Sequence, residues 1–220
     1  SINKLCPWTF EYSREELCSI ISYGFNLNTN TIYDEIKILK PGCIASLELG
    51  KKLKIKNFTN DNKFDERSFS DILCQSVNSR LISDVPIGCF LSGGYDSSLI
   101  AAIVSRKLGH RMQSFTFSSG DEFDEALVAK NNAKKLGLDH QTVSINANEL
   151  QLIVEDMAVV NDQPFCDSSQ IPTYLICREA SKSLKVLIGG DGADELFFGY
   201  NRYQFVKNIG LKSGLYKALI

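Results

Sequence analysis

Apolar positions in the second half of the chain alternate between two rhythms. Phe69, Ile72, Leu73, Val77 and Leu81 recur at helical spacing, and Pro86 then precedes the unbroken apolar run Ile87, Gly88, Cys89, Phe90, Leu91. That is the pattern of a helix feeding a buried strand. The rhythm then repeats: helix Ser97 to Leu108, strand Met112 to Phe117, helix Phe123 to Leu136, strand His140 to Ile145, helix Asn148 to Val160, helix Ile171 to Ser183 and strand Lys185 to Ile188. Strands that alternate with helices of these lengths predict an α/β fold, a mostly parallel, doubly wound sheet with helices on both faces, because parallel neighbours require crossovers. In such sheets ligands bind beyond the carboxyl ends of the strands.

The first sixty residues read differently. Ser13 and Glu16 have capping-box spacing ahead of Leu17, Ile20 and Ile21, so a short helix is expected to end near Gly24. Cys43 to Leu49 and Leu53 to Phe58 alternate around Gly50 and Lys51 as a hairpin would. The polar stretch TNDNK, within 58–64, reads as a linker and places a boundary near residue 60.

Composition narrows the function. The 220 residues are 44% hydrophobic, enough for one full α/β domain, and a formal net charge of -2 argues against a nucleic-acid partner. No apolar run reaches the roughly 20 residues that a membrane helix needs, and the first ten residues lack the pattern of a signal peptide, so a cytoplasmic protein is expected. The seven cysteines form no CxxC pair and are expected to be reduced and mostly buried. Two histidines leave little material for a zinc centre or a Ser/His/Asp triad; His140 is expected to be exposed or hydrogen-bonded rather than catalytic.

The chemistry concentrates where the first buried strand stops, at Leu91, Ser92, Gly93, Gly94, Tyr95, Asp96, Ser97, Ser98. Two adjacent glycines let backbone N–H groups approach an anion, and the helix that follows directs its positive end to the same point. Asp96 would repel a bare phosphate, which implies Mg²⁺ between carboxylate and phosphates. Taken singly, such a glycine turn is also compatible with Asp96 and Ser97 acting only as helix caps. A second glycine and acid cluster, Gly189, Gly190, Asp191, Gly192, Ala193, Asp194, Glu195, ends the later buried strand. In a doubly wound sheet the two strand ends can converge on one crevice, with Asp194 opposite Asp96 as a second metal ligand, or the acids can simply complement a helix dipole.

The run SGGYDS matches SGGxDS, the signature of the PP-loop ATP pyrophosphatases, and no GK[ST] follows as a Walker loop would require. Together with IGGDGADELFFGYNRY, DEFDEALVAKNNAKKLGLDH and NDQPFCDSSQIPTYLIC, it resembles the synthetase domain of the glutamine-hydrolysing asparagine synthetase family. The segment YGFNLNTNTIYDEIKILKPG is similar to the end of that family's glutaminase domain and the junction after it. The resemblance implies residues 1–60 as a glutaminase-like end and junction, and 61–220 as an ATP-pyrophosphatase domain that is C-terminally incomplete, the family's later helical region with its lysine lying beyond Ile220.

It also implies roles. Leu91 and Phe117 would touch the adenosine of ATP; Ser92, Gly93, Gly94, Asp96 and Ser97 would hold its pyrophosphate part; Gly189 and Gly190 would line the crevice. Asp96 and Asp194 would hold Mg²⁺, and Asp191 stands where the family commonly carries a catalytic glutamate, the shorter acid keeping the charge with a different reach. The implied reaction adenylates a carboxylate, with aspartate the leading candidate, releases pyrophosphate and passes the acyl group to ammonia. Glutamine would serve only through a glutaminase domain missing here, since that activity needs an N-terminal cysteine and the chain starts Ser1, Ile2, Asn3. A homodimer is admitted. A related amidotransferase or cyclase acting on another acid or sugar, and a non-catalytic nucleotide-binding module, remain open on the sequence. Tyr95 is expected to pack outward, and Tyr200, Arg202 and Tyr203 are candidates to face substrate.

Overall fold

The computed structural model describes residues 9–58, 66–121, 124–164 and 166–212. Residues 59–64 of the expected linker, Cys6 and the expected helix start at Phe123 lie outside them. The chain divides into two compact units, one of Ser1–Arg67 with Ile145–Tyr174, the other of Ser68–Ser144 with Leu175–Ile220.

The second unit carries the sheet. Helix α2, Phe69–Arg80, begins where the Ser68 hydroxyl accepts the Asp71 N–H, a side-chain cap that satisfies one of the four orphan donors of the first turn. It leads to β3, Ile87–Phe90, followed by α3, Tyr95–Ala102, β4, Gln113–Ser118, α4, Ala126–Leu136, and β5, Asp139–Ser144. Strand β6, Val186–Ile188, then adds to the other side of β3, giving the order β5-β4-β3-β6 with every pairing parallel. The order reverses between β3 and β6. A crevice at the carboxyl ends of those two strands follows from the topology.

Strand alternation sends Cys89 to one face of the sheet and Phe90 to the other. On the first face Cys89 and Leu91 pack with Val77 of α2, Ala101 and Val104, Met112, and Ala129 and Ala133 of α4. On the second, Phe115, Phe90, Phe117 and Leu187 meet Ile176, Ala180 and Leu184. Ile176 and Ala180 belong to α6, Gln170–Ala180. Both faces are thus covered, as the uninterrupted apolar strands β3 and β6 require. Full burial of Phe115 stabilises the unit by about 1.5–3 kcal/mol relative to an exposed ring. Gly88 fits the second face because a Cβ there would meet Leu184 Cδ1 at 2.5 Å and the Gln113 carbonyl oxygen at 2.9 Å.

The first unit holds α1, Arg14–Tyr23, the antiparallel hairpin of β1, Cys43–Ser46, with β2, Lys54–Asn57, and α5, Ala147–Val160. Ile20, Ile32 and Tyr33 form its cluster with Phe10, Leu17 and Ile36. The 161–164 segment belongs here too: Gln163 Oε1 accepts the Ile32 N–H at 3.4 Å and Tyr33 Oη donates to the Asp162 carbonyl at 3.4 Å.

Several expectations need correcting. The Ser13/Glu16 capping box does not form; Ser13 makes no side-chain cap, and Glu16 is buried, accepting from Asn30 Nδ2 at 2.7 Å. A local pattern lost to a tertiary partner. The helix expected over Ser97 to Leu108 starts earlier, at Tyr95, and widens into a π turn, Ile103–Lys107, in which the adjacent Ile103 and Val104 are both buried. Of the described cysteines only Cys89 is buried, while Cys18, Cys166 and Cys177 are exposed.

Candidate nucleotide site

Where β3 stops, the backbone turns through Ser92, Gly93 and Gly94 into α3, which Gly94 precedes in an extended conformation. The turn is organised by its own hydroxyls. Ser97, buried at the first turn of α3, accepts the Ser92 N–H at 3.0 Å, and its Oγ lies 2.8 Å from Ser92 Oγ, which in turn accepts the Gly94 N–H at 3.1 Å. Asp96 and Tyr95 are exposed, Tyr95 packing outward as expected, and among the described residues no hydrogen bond or ion pair engages the Asp96 carboxylate. The Leu91 side chain is 1% exposed inside the core, so only its main chain stands at the strand end. That main chain is held on both sides, with Leu91 N–H donating to the Phe115 carbonyl at 2.9 Å and the Leu91 carbonyl accepting from Thr116 Oγ1. Phe117, one step before the end of β4, is half-buried against the second face.

The second bend follows β6. Gly189 and Gly190 lead to Asp191, and Gly192, at φ 89, opens the five-residue helix α7, Ala193–Phe197. An L residue at Gly192 would be strained there. The two bends touch. A Cβ on Gly190 would meet Asp96 Cβ at 3.0 Å and the Ser97 backbone nitrogen at 3.1 Å, tighter than ordinary contact, so glycine suits this approach. Asp191 folds back over the bend, its Oδ2 lying 2.9 Å from where a Gly189 Cβ would stand.

A cavity of about 320 Å³ opens at the junction and is lined by Asp96, Gly189, Gly190 and Asp191 together with Arg80 and the apolar wall of Phe69, Leu73, Val77, Leu99 and Ile100. It gathers one carboxylate from each bend beside one guanidinium. Asp194 is not among its lining residues. Asp194 is half-buried, and its carboxylate turns toward Gly199, where a Cβ would come within 1.9 Å of Oδ1.

Beyond α7 the chain reverses through Phe198, a non-glycine residue at φ 58, and Gly199. Tyr200 Oη donates to Glu195 Oε1 at 2.7 Å, and the Arg202 guanidinium lies 4.1 Å from the Tyr200 ring centroid. The hydrogen bond holds the Glu195 carboxyl below its usual range and pushes the Tyr200 phenol up. The three residues proposed to face substrate are thus tied to one another and to α7.

Two acids escaped the sequence reading. Asp124 accepts from Ser118 Oγ, from the Gly120 N–H at 2.9 Å and from the Ala126 N–H at 2.7 Å, pinning the loop that leaves β4. Its carboxyl is held below the usual range, by the Ser118 hydrogen bond first. Glu125 Oε2 accepts the Gly93 N–H at 3.0 Å. The only sequence signal was their place in DEFDEALVAK; nothing in the spacing says that this segment touches the glycine turn.

The carboxylates suit Mg²⁺, which is commonly held by one or two carboxylates with phosphate oxygens and waters completing the octahedron. Among the described residues no group of three or more His, Cys, Asp or Glu converges, so a cation at Asp96 would draw its remaining ligands from a polyphosphate and water.

Strand order, a reversal point between β3 and β6 and a PP-loop signature on the first bend define an α/β domain with a candidate nucleotide site. The profile of the Asparagine synthase family matches residues 68–216, and the chain belongs to that family. It is 32% identical over 96% of its length to "Asparagine synthetase [glutamine-hydrolyzing] 1" of Bacillus subtilis, covering 35% of that protein. It is also 32% identical over 79% of its length to a "Putative asparagine synthetase [glutamine-hydrolyzing]" of Mycobacterium bovis, covering 28% of it. An "Amidase chry2" of Gibberella zeae is 31% identical over 60% of the chain and is covered over 22% of its own length. The chain therefore spans from about a fifth to about a third of the length of these relatives. Among solved structures, an NH3-dependent NAD synthetase from Campylobacter jejuni aligns with 60% of the chain and 59% of its own at 18% identity and a TM-score of 0.43. Among the described residues no helix is long and apolar enough to cross a membrane.

Proposed function

We propose that this chain carries the ATP-pyrophosphatase part of an ATP-dependent, amide-forming ligase of the cytoplasm, which adenylates a carboxylate and passes the acyl group to ammonia. In this reading residues 1–60 are the end of a glutaminase-like domain with its junction, and 61–220 the synthetase-like domain. The observation that carries it is the contact of the two glycine bends, Gly190 against the backbone of Asp96 and Ser97, at one cavity that holds Asp96 and Asp191.

Each residue then has a task. Ser92, Gly93, Gly94 and Ser97 present the anion-binding end of α3 to the pyrophosphate part of ATP, where charge builds as the α,β bond breaks. The Leu91 main chain and Phe117 border the adenosine. Asp96 would hold Mg²⁺, with Asp194 reaching it only after its carboxylate turns away from Gly199. When bound, the ion would neutralise charge on the departing pyrophosphate. Asp191, which lines the cavity beside Asp96, would orient the amine acceptor. Arg80, at the same cavity, offers a fixed positive charge to a substrate carboxylate. Attack of that carboxylate on the α-phosphorus gives an acyl-adenylate and pyrophosphate, and ammonia then displaces AMP.

The test is pyrophosphate release from ATP and Mg²⁺ across a panel of acids, with ammonia or glutamine supplied in turn. Aspartate-dependent release supports asparagine formation. Release that needs another acid moves the chain to a related amidotransferase or cyclase, a reading favoured by similarity to proteins named amidases as well as to asparagine synthetases. ATP binding without turnover of any acid leaves a nucleotide-binding module.

A further inference from the structure

The backbone donors of the glycine turn are already engaged, and one of them is engaged from outside. The N–H groups of Ser92 and Gly94 are taken by the turn's own hydroxyls. The third, on Gly93, is taken by Glu125, which is exposed and sits just ahead of α4, a different element on the chain's return from β4. Main-chain packing enforces this meeting: a Cβ on Gly93 would stand 2.9 Å from Glu125 Cβ and 3.3 Å from the Glu125 carbonyl oxygen. A carboxylate held at 3.0 Å occupies the same kind of position that a phosphate oxygen takes on a loop amide, and it carries the same sign of charge. The two cannot share one N–H without strong repulsion.

We propose that Glu125 is a resident competitor for the pyrophosphate position: its carboxylate holds the Gly93 amide while the site is free, must leave as a polyphosphate arrives, and reclaims the amide as pyrophosphate departs. The inference rests on the reading of this turn as a pyrophosphate cradle. It makes Glu125 a positioning residue for the loop and an aid to product release. The loop keeps its shape between turnovers because the N–H groups of Ser92, Gly93 and Gly94 each have an acceptor, and the entering anion exchanges one acceptor for another.

The experiment measures binding of inorganic pyrophosphate with Mg²⁺ to the chain and to two variants, by calorimetry and by the amide resonance of Gly93. Glu125→Ala keeps the Cβ that packs on Gly93 and removes only the competitor, so pyrophosphate binds about tenfold tighter, the scale of one charge-assisted hydrogen bond. Its dissociation slows by a similar factor. Glu125→Gln keeps an acceptor without the charge and falls between the two, which preserves the test if the alanine variant does not fold. Pyrophosphate should also shift the Gly93 amide of the unaltered chain toward the resonance position of a phosphate-bound amide. Equal or weaker binding in both variants, with the unaltered chain still binding pyrophosphate at Gly93, would overturn the competitor role alone. Failure of the unaltered chain to bind pyrophosphate overturns the cradle reading and the inference with it.

Discussion

At the scale of single residues the site rests on groups that the fold leaves uncommitted beside groups that it ties down. The Asp96 side chain is exposed, its carboxylate is engaged by no hydrogen bond among the described residues, and it stands next to the buried Ser97, so its removal alters charge at the cavity without unpicking the turn. Asp96→Asn should lower pyrophosphate release on the order of a hundredfold, as loss of one electrostatic contact to a transition state does, while the denaturation midpoint stays close to that of the unaltered chain. His140 makes the opposite case. Its Nδ1 lies 3.0 Å from Ser114 Oγ, and its Nε2 is buried with no partner among the described residues. Burial first, then Lys130, pushes its pKa below the ordinary 6.5, with Asp139 opposing. The unfolded chain therefore takes up this proton at a higher pH than the folded one. The contribution to stability is complete above about 6.5 and is lost as pH falls through that value toward the folded pKa. Urea midpoints measured from pH 7.5 down to about 5.5 should fall, and His140→Gln should flatten that slope.

At the scale of elements, two strand ends and the helices after them make the site, and glycine decides how near they come. The SGGxDS run and the glycine-acid cluster were both legible in the sequence, as was the strand-turn-helix order that carries the first. Their contact was not legible, because β3 and β6 are separated by two further strands and several helices and pair only through the sheet. Gly190→Ala tests the contact directly: its Cβ would press on the Asp96 and Ser97 backbone, which cannot swing aside like a long side chain. Overpacking of about 1–3 kcal/mol should reappear as pyrophosphate binding weakened on the order of tenfold or more, read by calorimetry. The capping box at Ser13 shows the converse. Its spacing was right, but Glu16 found Asn30 through tertiary structure, so the local signal named a helix start correctly and its mechanism wrongly.

At the scale of the whole molecule, the cysteines report how the chain closes. Cys89 lies at 0% exposure in the central strand, and burial pushes its thiol up to about 12, whereas Cys18 and Cys166 are exposed. A thiol reagent at pH 8 should therefore label Cys18 and Cys166 within the mixing time, Cys177 more slowly because partial burial raises its pKa, and Cys89 only at the rate of unfolding. Mass spectrometry of the labelled peptides separates these classes. Labelling of Cys89 as fast as Cys18 would show that β3 is not buried between two covered faces of the sheet.

The order of apolar rhythms determined the α/β class on its own, since short strands that alternate with helices of these lengths pair in parallel only through crossovers. The two motifs determined the family in the same way, by residue identity at fixed spacing. Tertiary structure alone decided that residues 145–174 group with the N-terminal segment and that Asp191 stands on the cavity beside Asp96. It alone also turned Asp194 toward Gly199 and brought Glu125 to Gly93. The division has one physical cause. Periodicity and turn chemistry act over a few neighbouring residues, whereas side-chain direction at a strand end is set by whatever distant backbone packs against it.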